Sequence, residues 1–577
     1  MTMNIEIREG MRVLWDVPIG MDDGLILRSD VFLPLEEGNY PVLLSYGPYA
    51  KGLHFEDGYP DQWRIMCEEH PDVPANSTNI HANWEVVDPE KWCPHGYACV
   101  RVDSRGAGRS PGYIQHFSPR ETQDFYDCIE WAGVQDWSNG KVGITGISYY
   151  AMNQWQVASM QPPHLAAMCS WEGAADWYRD STHHGGMLST FWANWYGNQV
   201  ESVQFGLGDN GPKSRATGMN VCGDVNLSQE NMAANRCDFG QELRDHATID
   251  DSYYSPRLPQ WDKIEVPLLS SGNWGGHGLH LRGNTEGYFR SASKQKWLEM
   301  HGIEHWTHFY TDYGREIQLA FFDHFLRGID NGWDKTPAAI LNIRHPNEKF
   351  VLRYEQDWPL PDTQWTKLHL DPVKRSLSTV ANTVKGTLEY DALREGVTFT
   401  MVTAEDTEIT GPLAAKLHVS SSTPDADLFL IFKVFDPDGT EVTYQGALDP
   451  HTPIAHGWLR ASHRKLDPEL SLPFRPFHTH DEKQLLTPDE IYELDIEIWP
   501  TCIVVPAGWT IALTIQGSDY QYSDNVEQVG WFTMTGVGPF KHDDPSDRPK
   551  ELFDGKITLH FGAERESFVL VPIIPPR

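Results

Sequence analysis

The segment from Lys141 to Ala151 constrains the fold of this chain more than any other. Val142, Ile144 and Thr145 read as a short buried strand, and Gly146 permits a sharp bend. After Ser148, the run from Ala151 to Met160 has helix-forming character. A strand, a tight turn carrying one serine and then a helix make a nucleophile elbow. Such a turn lifts the hydroxyl clear of the backbone, and the helix N-terminus beneath it favours developing negative charge. The usual pattern is G-x-S-x-G, but Tyr150 holds the fifth position here. An ordinary turn serine fits the motif equally well, so the surrounding chain has to decide.

The surroundings read as an α/β fold. Residues 11–34 alternate apolar and polar around Asp23-Gly24, a hairpin signal. Tyr40 to Tyr46 is a near-continuous apolar run, as expected of a strand covered on both faces. Residues 52–90 are rich in Pro, His and Asn and read as an irregular excursion. Tyr97 to Val102 is a further strand, running into the glycine-rich turn from Asp103 to Gly112. Glu121 to Ala132 has helical spacing of Phe125, Cys128, Ile129 and Trp131. Leu165 to Trp171 and Ile264 to Ser270 continue the sheet, and Ile317 to Leu326 reads as a closing helix stopped by Gly328. Strand and helix in alternation imply βαβ units and a parallel sheet. Residues 177–262 break that rhythm and read as an inserted, helical lid. From about 337 onward short apolar strands alternate with Pro, Gly and Asp turns, beginning with Ala339 to Ile343, as in an all-β sandwich or jelly roll.

Composition narrows the class. At 577 residues the chain is too long for one core. Lys and Arg number 46 against 81 Asp and Glu, a net charge of -35 that repels nucleic acid and anionic membranes at long range. No run of about 18 apolar residues predicts a membrane span. Met1 to Glu9 is polar and acidic, without the apolar core of a signal peptide. The 8 Cys show no zinc spacing and read as reduced thiols of a cytoplasmic protein. His183-His184 and His478-Thr479-His480-Asp481 lack the spacing of a defined metal site and read as solvated loops. Asp103 to Gly108 lacks the Lys-Ser/Thr of a phosphate-binding loop and reads as a sheet-edge turn. No cofactor is implied.

Taken in order, several segments resemble the cocaine-esterase group of serine hydrolases, related to X-Pro dipeptidyl peptidases and α-amino-acid ester hydrolases. They are Gly47-Pro48-Tyr49-Ala50-Lys51, Asp103 to Gly108, Gly146-Ile147-Ser148-Tyr149, Asp176-Trp177-Tyr178-Arg179-Asp180, Trp306-Thr307-His308 and Phe322 to Gly328, with the β-rich final third. The likeness extends over nearly the whole chain, and G-x-S-Y is this group's form of the elbow. It implies an α/β-hydrolase domain with an inserted helical cap, plus a C-terminal all-β jelly roll. Applied to this chain, the hydrolase domain takes residues 1–176 and 263–336, the cap 177–262 and the jelly roll 337–577.

The resemblance also implies a division of labour. Ser148 is the acylated nucleophile, and a hydroxyl needs a positioned base at neutral pH. His308, in the W-[ST]-H pattern, is the expected base, with His301 and His305 close by in sequence. The backbone N–H of Tyr149 and the hydroxyl of Tyr49 are the expected oxyanion donors. The acid is where this chain departs from the group. The usual G-W-Y-D aspartate falls on Gly275 or Gly276, and glycine cannot orient an imidazole. Glu172, at the C-terminal end of the strand beside the elbow strand, is the expected replacement, because such sheets assemble their sites at strand C-termini. An ion pair with Arg179 is its purely structural alternative. Glu304 or Asp312, and loss of hydrolysis, are the competing readings of the site.

The expected activity is a cofactor-independent serine esterase or acyl hydrolase acting on a small-molecule ester or amide, without metal, nucleic acid or membrane. A homo-oligomer is compatible with the sequence. An acyltransferase using the same acyl-enzyme, and a non-catalytic binding protein on the same fold, are the alternatives.

Overall fold

The apolar runs of the first half pair into one mixed sheet of eleven strands. The structure, a computed structural model, describes residues 5–249, 252–394, 396–522 and 527–577. In chain order the strands are β1 (Glu6–Arg8), β2 (Met11–Gly20), β3 (Ile26–Pro34), β4 (Tyr40–Gly47), β5 (Ala98–Asp103) and β6 (Ser138–Ile147). They continue as β7 (Leu165–Trp171), β8 (Leu268–Asn273), β9 (Lys296–His301), β10 (Ala339–His345) and β11 (Lys349–Glu355). Side by side they run β1-β2-β3-β5-β4-β6-β7-β8-β9-β10-β11. From β5 through β10 neighbours are parallel. The hairpin strands at the two edges are antiparallel.

Helices cover both faces of the parallel part, so β4 and β5 are buried almost throughout. Helix α1 (Pro119–Gly133) is capped by Ser118, whose Oγ accepts from the Glu121 N–H, while Glu121 accepts from the Phe117 N–H one residue earlier. Helix α2 (Tyr149–Ser159) follows the elbow, α3 (Leu281–Arg290) follows β8, and α4 (Asp312–Phe322) follows β9. The chain leaves the turn after α4 at Gly328, with φ 68°.

Three features differ from the sequence reading. Strand β8 begins after Pro267 instead of at Ile264, because proline has no N–H for the ladder. Ala339–His345, read as the first strand of the β-rich domain, joins the α/β sheet beside β9 and turns back as β11. His183, His184, His478 and His480, read as solvated, are all buried. His184 bonds His542 at 2.8 Å, and His183 stacks on Tyr178 at 4.5 Å.

The described residues of 177–262 form short helices, among them Phe191–Trp195, Gln229–Ala234 and Phe239–Asp245, and a small hairpin of His183–His184 with Met187–Leu188. Their aromatic side chains share one core with Tyr49 and Tyr149. The strands after Glu355 form a C-terminal all-β domain. Strand Thr407–Ser421 pairs with Tyr492–Val505 and also with Phe568–Ile574, which closes the sheet into a barrel where a sandwich was expected. A bulge between Gly411 and Leu413 bends that long strand, so it serves both neighbours.

Candidate active site

Strand β6 delivers Ser148 to the C-terminal edge of the parallel sheet. A Cβ at Gly146 would lie 2.4 Å from Tyr150 Cβ and 3.0 Å from the Glu85 carbonyl oxygen, so only glycine fits there. Ser148 then adopts φ 54° and ψ -115°, a strained backbone that costs about 1–3 kcal/mol and is held by its neighbours. Its N–H is shared between the carbonyls of Trp171 (3.2 Å) and Glu172 (3.1 Å). Its carbonyl accepts from Ala151 and Met152, which starts α2. The tyrosine at the fifth position is accommodated by a glycine elsewhere: a Cβ at Gly47 would meet the Tyr150 ring at 2.7 Å.

The imidazole at Ser148 is His280, just before α3. Its Nε2 lies 3.2 Å from Ser148 Oγ. Its Nδ1 accepts the Ala174 N–H at 3.1 Å, so the neutral ring carries its proton on Nε2 and donates to the serine oxygen. Burial, then the neighbouring His305, hold His280 well below the ordinary histidine value. His305 lies parallel to it, with ring centres 5.4 Å apart.

Glu172 ends β7 with φ 48° and is fully buried. One carboxylate oxygen faces His305 Nδ1 at 3.1 Å. The other faces His301 Nε2 at 3.0 Å and accepts from Asn273 Nδ2 at 3.2 Å. The pairing extends both ways. His305 Nε2 lies 2.9 Å from Glu85, and His301 Nδ1 lies 2.7 Å from Glu299. The result is a buried row in which three carboxylates alternate with two imidazoles. Burial opposes charge on both rings, but Glu172 and Glu85 raise His305 to about 9, and Glu299 and Glu172 raise His301 to about 9. Burial would raise Glu172, yet His305 and His301 pull it down to about 2. Burial lifts Glu85 to about 7 against the pull of His305.

Ser148 and Glu172 therefore meet in one site, but His308 does not join them. After β9 the chain turns through Ile303 at φ 61°, and His305 points inward. Three residues on, the His308 ring packs on His301 (5.3 Å), Tyr313 (5.4 Å) and His70 (6.3 Å), on the far side of the carboxylate row. Burial, then His301, depress its basicity. The competing acids are engaged elsewhere: Glu304 accepts from Thr307, and exposed Asp312 pairs with Arg315. Arg179 pairs with Asp176, not with Glu172.

Of the two positions on which the absent aspartate could fall, Gly275 has no room for a side chain. A Cβ at Gly275 would lie 2.4 Å from Gly446 Cα, a loop of the barrel domain. That loop is tied in by Ala447, whose N–H donates to the Gly275 carbonyl and whose carbonyl accepts from the His305 N–H.

Tyr49 packs edge-on against Tyr149 and Tyr150, and its hydroxyl oxygen accepts from Trp195 Nε1 at 3.0 Å, leaving its proton to donate. Burial, then Glu85, keep it protonated. The Tyr149 side chain is engaged away from the elbow, donating to Glu121 at 2.7 Å. Its amide opens α2, where first-turn N–H groups have no carbonyl partner within the helix. His280 and Glu85 were not singled out from sequence. His305 was noted only as a neighbour of His308, although both follow the same strand.

Residues 23–310 match the family described as X-Pro dipeptidyl-peptidase (S15 family), and residues 331–570 match the X-Pro dipeptidyl-peptidase C-terminal non-catalytic domain. A cocaine esterase from Rhodococcus sp. (strain MB1 Bresler) is 24% identical, with 97% of this chain and 98% of that one aligned. A putative Xaa-Pro dipeptidyl-peptidase from Bacillus anthracis is 22% identical over 84% of this chain and 78% of its own length. The crystal structure of a CocE/NonD family hydrolase from Staphylococcus aureus is 30% identical and superposes with a TM-score of 0.83, covering 98% of this chain and 94% of that one.

Proposed function

The chain belongs to the CocE/NonD hydrolases, serine-type enzymes that join an S15 domain to this β-rich C-terminal domain, and from that premise we propose an acyl hydrolase that works through an acyl-enzyme on Ser148. The observation that carries the reading is the strained serine at φ 54°, whose N–H bonds the carbonyl of Glu172 at 3.1 Å, at the edge of the buried carboxylate–imidazole row. Ser148 attacks the carbonyl of a carboxylic ester or amide. The Tyr149 amide and the Tyr49 hydroxyl hold the oxyanion, each donor worth roughly 3 kcal/mol of barrier. The alcohol or amine leaves, and water releases the acid.

His305 is the proposed base and Glu172 the proposed acid, in place of His308. Support comes from the 3.1 Å contact of Glu172 with Nδ1, the arrangement that fixes the tautomer of a catalytic imidazole. His280 is then a neutral donor that aims the serine oxygen. The 3.2 Å contact favours a second reading, with His280 itself as base. That would strand the Ala174 amide it now satisfies, at about 1–3 kcal/mol.

A fluorophosphonate probe tests the nucleophile: wild type labels and Ser148→Ala does not. A folded, unlabelled wild type overturns the reading. Turnover of a simple aryl ester by His305→Ala and His280→Ala separates the two bases, since the base variant loses several orders of magnitude and the aiming variant loses less.

A further inference from the structure

In the arrangement described, both nitrogens of His305 face carboxylates, Glu172 at 3.1 Å and Glu85 at 2.9 Å. Ionised carboxylates only accept, so each nitrogen must carry a proton, unless one carboxyl carries it instead. The first state is an imidazolium and cannot take a proton from Ser148. In the second, Glu85 is a neutral acid donating to Nε2, and His305 keeps only the Nδ1 proton, the tautomer a base requires. The two states differ by one proton inside one hydrogen bond.

We propose that Glu85 competes with Ser148 for Nε2 of His305, closing the base in the resting enzyme and opening it when the carboxyl takes up the shared proton. This rests on the reading of His305 as the base. One N–H bond breaks and one O–H bond forms on Glu85. The electron pair left on Nε2 is the one that receives the Ser148 proton. A neutral acid holds Nε2 less tightly than a carboxylate holds an imidazolium, so the serine can displace it.

The setting of Glu85 fits this role. Its backbone is fixed to the elbow, with φ 63° and its carbonyl accepting the Ile147 N–H at 3.0 Å. Its second carboxylate oxygen is buried without a close hydrogen-bond partner, and the Trp84 side chain is the donor near the carboxyl. The groups facing it are His305, Glu172 and the hydroxyls of Tyr49, Tyr59, Tyr150 and Tyr310. The His305 ring is faced by these two carboxylates, by neutral His280 and by the rings of Trp84 and Trp306. Burial brings Glu85 to about 7, while His305 stands at about 9. Both values favour the proton on His305, so the closed, ion-paired state is the resting one.

The test is the rate of fluorophosphonate labelling of Ser148 between pH 5.5 and 10 in wild type, Glu85→Gln and Glu85→Ala. Nitrogen-15 NMR of the His305 ring in the same proteins gives a readout independent of activity. Wild-type labelling should be slow at neutral pH, where the open state is the minor one, and rise toward pH 9 as the pair as a whole loses the proton that closes Nε2. Both variants should shift the rise, and the ring titration, at least one pH unit toward acid. That is about tenfold faster labelling at pH 7, since one unit is a factor of ten in the free base. An unchanged midpoint in the folded variants overturns the proposal, as does loss of labelling in both with the His305 titration shifted. A wild type that labels at no pH instead overturns the Ser148 reading beneath it.

Discussion

Replacing Glu172 by glutamine keeps the side-chain shape and removes one charge from the middle of the buried row. The carboxylate lies 3.0 Å from His301 Nε2 and 3.1 Å from His305 Nδ1. Each such pair is worth about 5 kcal/mol of attraction at an effective dielectric of 20, before the cost of burial. Glutamine also turns one acceptor oxygen into an NH2 group that must face an imidazole N–H. The ring then flips its tautomer or turns away, and Nδ1 loses the group that fixes it. Acid-to-amide changes in serine triads lower kcat by about 10^4, and that is the expected loss here. The assay is kcat and KM on an aryl ester, with the fold checked by thermal unfolding and by near-UV circular dichroism. KM should change little, because Glu172 touches imidazoles and Asn273, not the space above Ser148. A folded Glu172→Gln protein with wild-type turnover refutes the assignment.

Three further outcomes follow from the same geometry. Tyr49→Phe should lower kcat by about 10^2–10^3 with the fold intact, measured on the same ester, because one oxyanion donor is lost. Stability should fall as pH rises from near 6.5 through about 9: His301 and His305 are raised in the folded state, so their contribution is whole below the ordinary histidine value and lost above about 9. Glu172 acts in the opposite direction, its contribution whole above ordinary carboxyl values and lost only as pH falls through about 2; urea midpoints across pH read both limbs. Gly275→Asp, which restores the acid of the related pattern, should lower the melting temperature without raising activity, because its Cβ meets Gly446 Cα at 2.4 Å.

The elbow, the parallel sheet around it and the β-rich final third were legible because each depends on local pattern. Apolar runs such as Tyr40 to Tyr46 mark strands buried on both faces, and Gly146 before Ser148 marks a bend no other residue can make. Glu172 was legible for a related reason: it ends the strand beside the elbow strand, and parallel order brings strand ends together. Ala339–His345 was assigned to the wrong sheet, because a short apolar strand does not say which partner it will find.

The identity of the histidine at Ser148 lay beyond any such pattern. Whether His280, His305 or His308 faces the serine depends on the turn at Ile303, on the register of the helix after β8 and on where a barrel-domain loop packs. By itself the sequence determined the parallel sheet and the elbow and put Glu172 at the neighbouring strand end, since these follow from backbone periodicity and steric rules acting over a few residues. Only the tertiary structure decided which imidazole meets the serine and why Gly275 has no room for a side chain. Those answers come from side chains more than a hundred residues apart excluding one another from the same few ångströms.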